Sequence, residues 1–536
     1  MKSLFLYAIG VRHLRHIFTF LILNFFTKPA ALFPLILFFA SNLSAQPKAS
    51  FQWSEFQKVP KYSHATYIFK TGEGYGVILK YGIKFHPKLS QFQINFYDKD
   101  LKITKRKGLT INKNKERVLD IWYYNGRIFF LTHTELGNQR VSARLRIIQA
   151  DNSDLNVYTE DIIILNENRF SRNFTYNSRR NSTFNLSRKD SSLSIWHTNP
   201  PETMDAKQSV TSHMYNNEMK LIDKAIIDLP EVAKLCEVLR VDDLDGDEFL
   251  ICTKEYAINP IDKRGFSPNY KFVFYVANPS KEQLSSFTYK DENVYLERPK
   301  LKWNKGVLEA TGLFADKLEG PKIGIWFLRY NFNTKTLMSD TLQYFDKNVR
   351  ALPGNGFQAS LLRNSKFESF YIDYFIKVSP NKRMVVAEQF FLLPASFGSS
   401  YTYNRFYGDI LILYMDEKGV INNAHRLIKA QQTFNNFGEF SSYYLERKDT
   451  MLKFIYNDNS RNKDTYRFKH LVWHKHSNIN VSEVTAGSTY NYSISNYKLA
   501  GGIIQVRDME KIGPDTYLIY ANKKKKGKLG IMKLQP

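Results

Sequence analysis

The residues best placed to do chemistry lie in Asp243-Leu-Asp-Gly-Asp-Glu248. Asp243, Asp245 and Asp247 alternate around Gly246, and alternating carboxylates can wrap oxygen ligands about a Ca²⁺ ion. An EF-hand loop fits poorly, because the glycine falls one position early. The plainer reading is a hairpin turn, since Asp and Gly tolerate the left-handed conformations that turns need. Cys236 and Cys252 flank this turn. Strands of equal length around Leu244 would bring the two thiols nearly opposite one another. In an exported protein that permits a disulfide; otherwise they are two buried free thiols.

A second candidate is the carboxylate pair Glu388 and Asp409, on neighbouring apolar strands of one unit. Paired acids are the machinery of glycoside hydrolysis. The structural alternative is that they bond to a tyrosine or to Lys429 and fix local geometry. Asp120 sits in a similar apolar run. His470, His474 and His476 alternate on one face of a short strand, but His470 and His474 would stand about 13 Å apart, too far to share one ion. Other catalytic patterns find no support. There is no G-x-S-x-G, no H-E-x-x-H, no P-loop and no G-x-G-x-x-G opening a helix. Ser187 to Trp196 lacks the glycine of an Asp-box, S-x-D-x-G-x-x-W. The densest basic run, Lys523 to Lys526 with Lys528, reads as a solvated turn between the last two strands.

Whatever these side chains do, strands must hold them. Short runs of Val, Ile, Leu, Phe, Tyr and Trp are broken by turn residues every 8–12 positions, the signature of an all-β sandwich, barrel or propeller. Leu119–Tyr124 and Arg127–Leu131 flank Asn125-Gly126, the strongest short hairpin signal. Lys300–Trp303 and Val307–Ala310 flank Asn304-Lys305-Gly306 in the same way. The best helix candidate, Glu231 to Leu235, is one short turn. Hairpins pair into units near 62–106, 118–165, 182–228, 237–290, 299–345, 371–429, 440–485 and 501–534. Four strands per unit predicts a single β-propeller of seven or eight four-stranded blades. A lone four-stranded sheet cannot bury both faces, whereas blades stacked around an axis can. The last unit shows about three strands, so the ring is expected to close with a strand from the segment after Gln46. Tandem β-sandwich domains are the alternative, but no Pro/Ser-rich linker divides the chain.

Composition sets the remaining bounds. The chain has 536 residues, 43% of them hydrophobic, which excludes wholesale disorder. Two cysteines exclude a disulfide-dense scaffold and a Cys-rich zinc array. Residues 1–45 carry Lys2, Arg12, Arg15 and Lys28, no acid, and an apolar run from Ala30 to Ala40 ahead of Ser44-Ala45-Gln46. This reads as a signal peptide, with an uncleaved N-terminal anchor as the alternative. Residues 46–536 are the propeller-like domain, and no other stretch is apolar enough to span a membrane. The net charge is +25, and about +21 remains without the leader. Such a field concentrates anionic polymers. Outside the cytoplasm that points to an anionic glycan or an envelope protein as partner before nucleic acid.

Two resemblances add to this. The Asp243 segment is similar to the calcium loops of integrin-type propeller repeats, D-x-D-G-D-G-x-x-D, with Glu248 in place of the second Gly and Ile251 in place of the last Asp. Met384-Val-Val-Ala-Glu-Gln-Phe390, Tyr407-Gly-Asp-Ile-Leu-Ile-Leu413, Asp416-Glu-Lys-Gly419 and Ile428-Lys-Ala-Gln431 together resemble an uncharacterised family of exported bacterial proteins. Asn423-Ala424 stand where that pattern carries a tryptophan. The resemblance implies repeated β-hairpins, a propeller-like layout and export, and brings no activity with it. The expectation is an exported non-enzymatic binding or scaffold protein of the cell envelope. The alternative is a carbohydrate-active enzyme with carboxylates in the propeller channel.

Overall fold

Alternation of apolar and polar residues has one stable outcome here, pleated strands stacked face to face, and the computed structural model shows how they stack. It describes residues 49–535 apart from 61–62, 82–89, 112–115, 136–140, 152–156, 167–183, 189–191, 200–202, 204, 245–247, 258–268, 319, 348, 350–369, 398–399, 435–439, 460–468, 471–476, 496–499 and 524. The strands form eight sheets. Seven follow one another in the chain, spanning 64–111, 116–166, 184–232, 236–289, 295–344, 370–434 and 443–495, and we number them blades 1 to 7; the sixth also takes in the short strand Lys469–His470, which pairs in parallel with Gln431–Phe434. Blade 8 joins the C-terminal strands Ile503–Ile504, Glu510–Gly513, Thr516–Lys523 and Lys526–Leu534 to the N-terminal strand Ala49–Trp53. The architecture is an eight-bladed β-propeller. The Glu231–Leu235 helix candidate is instead the end of strand Leu221–Val232 and a turn, because the period-2 burial of that strand continues through Leu229.

Strand periodicity explains the stacking. In blade 4, Leu250, Cys252, Phe272 and Phe274 point to one side and share a core with Leu308, Ala310, Trp326 and Leu328 of blade 5. Their neighbours Phe249, Ile251, Val273 and Tyr275 point to the other side, against Trp196, Val210 and Ile227 of blade 3. Each fully buried Phe contributes about 1.5–3 kcal/mol relative to exposure. Comparable cores join blades 1 and 2, 2 and 3, 5 and 6, 6 and 7, and 8 and 1. Blades 7 and 8 meet through polar contacts as well: Asn457 donates to the Ile504 carbonyl at 2.6 Å, and Lys453 and Lys511 pair with Asp515 and Glu446.

Closure is local and specific. Ser54 N–H donates to the Leu529 carbonyl at 2.9 Å, and Leu529 N–H returns to the Ser54 hydroxyl at 3.0 Å. Val59 N–H donates to the Lys525 carbonyl at 2.9 Å. Gly530 matters here because a Cβ at that position would lie 2.3 Å from the Trp53 ring. The hairpin signal at Asn125-Gly126 is met by a turn with both residues at positive φ, 46° and 77°.

Candidate functional site

The first strand of each blade is the innermost one. The fourth strands show the exposed edges, as in Leu221–Val232 and Thr336–Tyr344. Inner segments of blades that are not adjacent also sense one another's charge. Lys302 of blade 5 is influenced by Arg447 of blade 7, and Tyr374 of blade 6 by Arg507 of blade 8. Inner segments converging on one axis account for that.

Four of these inner strands, in blades 1, 2, 4 and 6, depart from regular pairing, while those of blades 3, 5 and 7 pair without a slip. In blade 1 the register slips between Ala65 and Tyr67, in blade 2 between Val118 and Asp120, in blade 4 between Val238 and Arg240, and in blade 6 between Ile372 and Tyr374. Each slip is a β-bulge, and the extra residues are Thr66, Leu119, Leu239 and Asp373. A bulge re-aims the side chains around it and tightens the local twist. In these four blades the bulge re-aims the side chains of the inner strand.

Two kinds of surface meet at the axis. One half is basic: Arg240 from blade 4, Arg298, Lys300 and Lys302 from blade 5, Arg447 from blade 7 and Arg507 from blade 8. Arg298 is anchored on the Leu239 carbonyl at the bulge. Arg447 donates to the Lys377 carbonyl at 3.1 Å and the Val378 carbonyl at 3.3 Å. Enclosure by protein lowers the pKa of Lys300, against which Asp373 acts to raise it. Enclosure lowers that of Lys302 too, and the Arg447 and Arg240 charges push the same way. Asp373 faces these bases. Its side chain is open to channel water while protein surrounds it on most sides, so desolvation, followed by the Glu388 charge, raises its pKa from 3.8 to about 6. The Tyr443 hydroxyl donates to Asp373 Oδ2 at 2.7 Å and opposes that rise.

The other half is an open cavity of about 980 Å³ along the inner strand of blade 2. Tyr67, Phe92, Leu119, Ile121, Trp122 and Tyr124 supply apolar and aromatic wall, and Lys80, Asp120, Asn217 and Glu510 supply polar groups. Glu510 links the halves: it lines the cavity and also acts on Tyr444 of blade 7, which in turn neighbours Tyr374. Aromatic side chains interleaved with convergent polar groups in an open concavity suit a small polar ligand such as a saccharide.

The residues singled out from sequence fall as follows. Asp245 and Asp247 lie outside the described residues. Asp243 is buried at the end of its strand, and Leu244 N–H closes the turn onto the Glu248 carbonyl at 2.8 Å. Cys236 and Cys252 are free and buried. The expected near-opposition is corrected by register: Cys236 pairs with Glu255 and Cys252 with Arg240, so the thiols enter different cores on opposite faces of the blade. Glu388 and Asp409 both lie in blade 6, each with a base. Lys429 Nζ is 2.6 Å from Glu388, and the Ser442 hydroxyl donates to Glu388 at 2.8 Å. Arg426 pairs with Asp409 at 2.8 Å, and Lys429 N–H donates to Asp409 at 3.0 Å. Asp120 lines the axial cavity and accepts from Ile121 N–H at 2.9 Å. His474 and His476 lie outside the described residues; His470 is in the short strand Lys469–His470. In the basic run, Lys523, Lys525 and Lys526 are exposed, but Lys528 is not solvated: it is buried with its ammonium 4.2 Å from the Trp53 ring and 4.6 Å from Phe56.

Sequence reasoning missed Asp373 and the axial bases. One signal was there: Arg240, Lys300, Lys302, Asp373 and Arg447 belong to the first strands of their units, and Arg298 and Arg507 lie in the short connections beside such strands. Among the described residues, no group of three or more His, Cys, Asp or Glu could hold a metal ion. No described helix is long and apolar enough to cross a membrane.

The chain is therefore a β-propeller by its own sheet order. No protein-family profile and no curated protein matches it. Among solved structures it is similar to the β-propeller domain of the Trilobed protease from Pyrococcus furiosus, with 10% identity, TM-score 0.31, and 80% of this chain and 98% of that one covered. It is also similar to an apocarotenoid oxygenase mutant from Synechocystis, with 7% identity, TM-score 0.37, and coverages of 84% and 94%. A third likeness is to the endosialidase of phage phi92, with 10% identity, TM-score 0.29, and coverages of 83% and 69%.

Proposed function

We propose that this protein is an exported, non-enzymatic propeller of the cell envelope that binds an anionic glycan at its axis. Export rests on the basic and apolar pattern of residues 1–45. The ligand class rests on one observation: bases from blades 4, 5, 7 and 8 converge beside an aromatic-walled cavity of about 980 Å³. Guanidinium and ammonium groups pair with carboxylate or sulfate. Tyrosine and tryptophan faces suit the apolar side of a sugar ring, and Asp120, Asn217 and Glu510 suit its hydroxyls. Calorimetry of the purified protein with oligogalacturonate and with a neutral oligosaccharide tests this. Binding of the acidic ligand alone is expected, weakened at least about tenfold, or roughly 1.4 kcal/mol, by the triple variant Arg298→Ala, Lys300→Ala, Lys302→Ala. Equal affinity for the neutral ligand, or an unaffected triple variant, refutes it.

A specific observation favours a second reading, a carbohydrate-active enzyme. Asp373 stands at the axis with its pKa raised to about 6, beside the Glu388 charge, as a general acid would. Release of reducing ends from a glycan, abolished by Asp373→Asn in a folded variant, would establish that reading over simple binding.

A further inference from the structure

The axial cavity has a continuation. A second cavity, of about 730 Å³, lies between blades 2 and 3 and is lined in part by Arg127, Gln149, Glu160, Asp161, Tyr215 and Lys220. Tyr124 lines both cavities. Asn217 belongs to the axial cavity, and the next four residues, 218–221, belong to the second. Only the Tyr124–Arg127 turn and the 216–220 turn separate the two spaces.

Both turns are built to hold position. Asn125 and Gly126 take the left-handed conformations of a tight hairpin. Asn216 Oδ1 accepts from the N–H of Glu218 at 3.0 Å and from that of Lys220 at 2.9 Å, and Met219 sits at φ 63°. Between them the Tyr124 ring stands 41% exposed, a platform with cavity on either side.

The chemistry changes across that platform. On the axial side the wall is largely aromatic, with Lys80, Asp120 and Glu510 as its charged groups, and the bases of blades 4, 5, 7 and 8 stand in the other half of the axis. The second cavity carries Arg127 and Lys220 against Glu160, Asp161 and Glu218, with Asp161 held by Arg146 at 2.8 Å and Glu218 by Lys220 at 3.3 Å. Planar amide, carboxylate and guanidinium groups on a rigid wall recognise hydroxyls in two directions at once. This suits the neutral, hydroxyl-bearing part of a saccharide rather than its charged group.

We propose that the ligand is a linear chain of several sugar units, running from the axial cavity over Tyr124 into the cavity between blades 2 and 3. The proposal rests on the anionic-glycan reading and adds a second subsite to it. Its signature is an affinity that grows with chain length through residues that do not touch the axis.

The probes are a dimer and an octamer of galacturonic acid, titrated into the full chain. The test variant is Arg127→Ala with Glu160→Ala. Both residues are exposed, both line only the second cavity, and together they leave the net charge unchanged. The octamer is expected to bind the unaltered protein at least about tenfold more tightly than the dimer, beyond the few-fold gain from its repeated ends. The double variant is expected to lose most of that gain, with dimer affinity and melting temperature unchanged. Equal affinities for dimer and octamer overturn the extended subsite while leaving the axial reading intact. So does a double variant that keeps the full gain, or one that weakens dimer and octamer alike at an unchanged melting temperature. Failure of both probes to bind overturns the axial reading and this proposal together.

Discussion

Arg383 shows what a single buried charge does here. Its guanidinium has no solvent exposure and forks onto the Glu309 carboxylate of blade 5, with Nε at 3.3 Å from Oε2. Removing one member of such a pair strands the other in low dielectric. Arg383→Met is expected to destabilise the protein by about 3–5 kcal/mol, at the lower end because Arg329 stands 3.5 Å from Glu309. The double variant Arg383→Met, Glu309→Leu should recover much of that loss, which chemical denaturation reads directly. His197 and His213 carry the opposite lesson. Their rings stack 5.6 Å apart inside blade 3, and burial lowers both pKa values from 6.5 to about 4. The unfolded chain takes up protons below about pH 6.5 that the folded chain refuses until about pH 4. Their contribution is therefore full above pH 6.5 and is lost as pH falls through that window. The melting temperature should drop between pH 6.5 and 4.5, and His213→Phe should make the drop shallower. A parallel decline in the variant would assign the acid sensitivity elsewhere.

At the scale of elements, the ring depends on one strand that is remote in sequence from its sheet. Ala49–Trp53 completes blade 8, and glycine at position 530 makes room for Trp53. Gly530→Val drives a branched side chain into that ring and should expel the strand, opening the edge of Lys526–Leu534. A fall of many degrees in melting temperature is expected, together with faster proteolysis near residue 53; an unchanged melting curve would show that the strand does not close the ring. The inner strands make a complementary point. Four of them carry a bulge in their pairing with the second strand, although Thr66, Leu119, Leu239 and Asp373 have no side-chain property in common. Position in the blade, rather than residue type, brings them to the axis.

Charge acts at the scale of the whole molecule. The formal net charge of +25 attracts polyanions from a distance, and the axial bases give that attraction a destination. Asp373 moderates it. The charged groups acting on Asp373 are Glu388, Lys300 and Lys429, with Tyr443 bonded to it and Tyr374 beside it. As pH falls through about 6 the Asp373 charge disappears and the axis becomes more positive. Affinity for heparin, whose sulfates stay ionised, should rise from pH 7 to pH 5.5. Asp373→Asn should bind tightly at both values with a flatter pH response. Added salt should weaken every variant, because screening acts on the shared field.

Much of the architecture was legible before any coordinates. The strand period, the Asn125-Gly126 turn and the spacing of hairpins predicted four-stranded units at eight places, and the three-stranded last unit predicted a borrowed strand. These are local signals, since alternation and turn chemistry act within a few residues. Register was not legible. One extra residue in Cys236–Asp243 and the length of the turn after it set Cys236 opposite Glu255, which no count of apolar residues could fix. The same holds at the axis: Lys300, Asp373, Arg447 and Arg507 are far apart in the chain, and only ring closure makes them neighbours. Sequence determined the strands and set the blade count at seven or eight, because burial of alternate side chains is a local demand. Tertiary structure decided which charges share a channel, because that depends on bulges and on the angle between blades, set by packing over the whole ring.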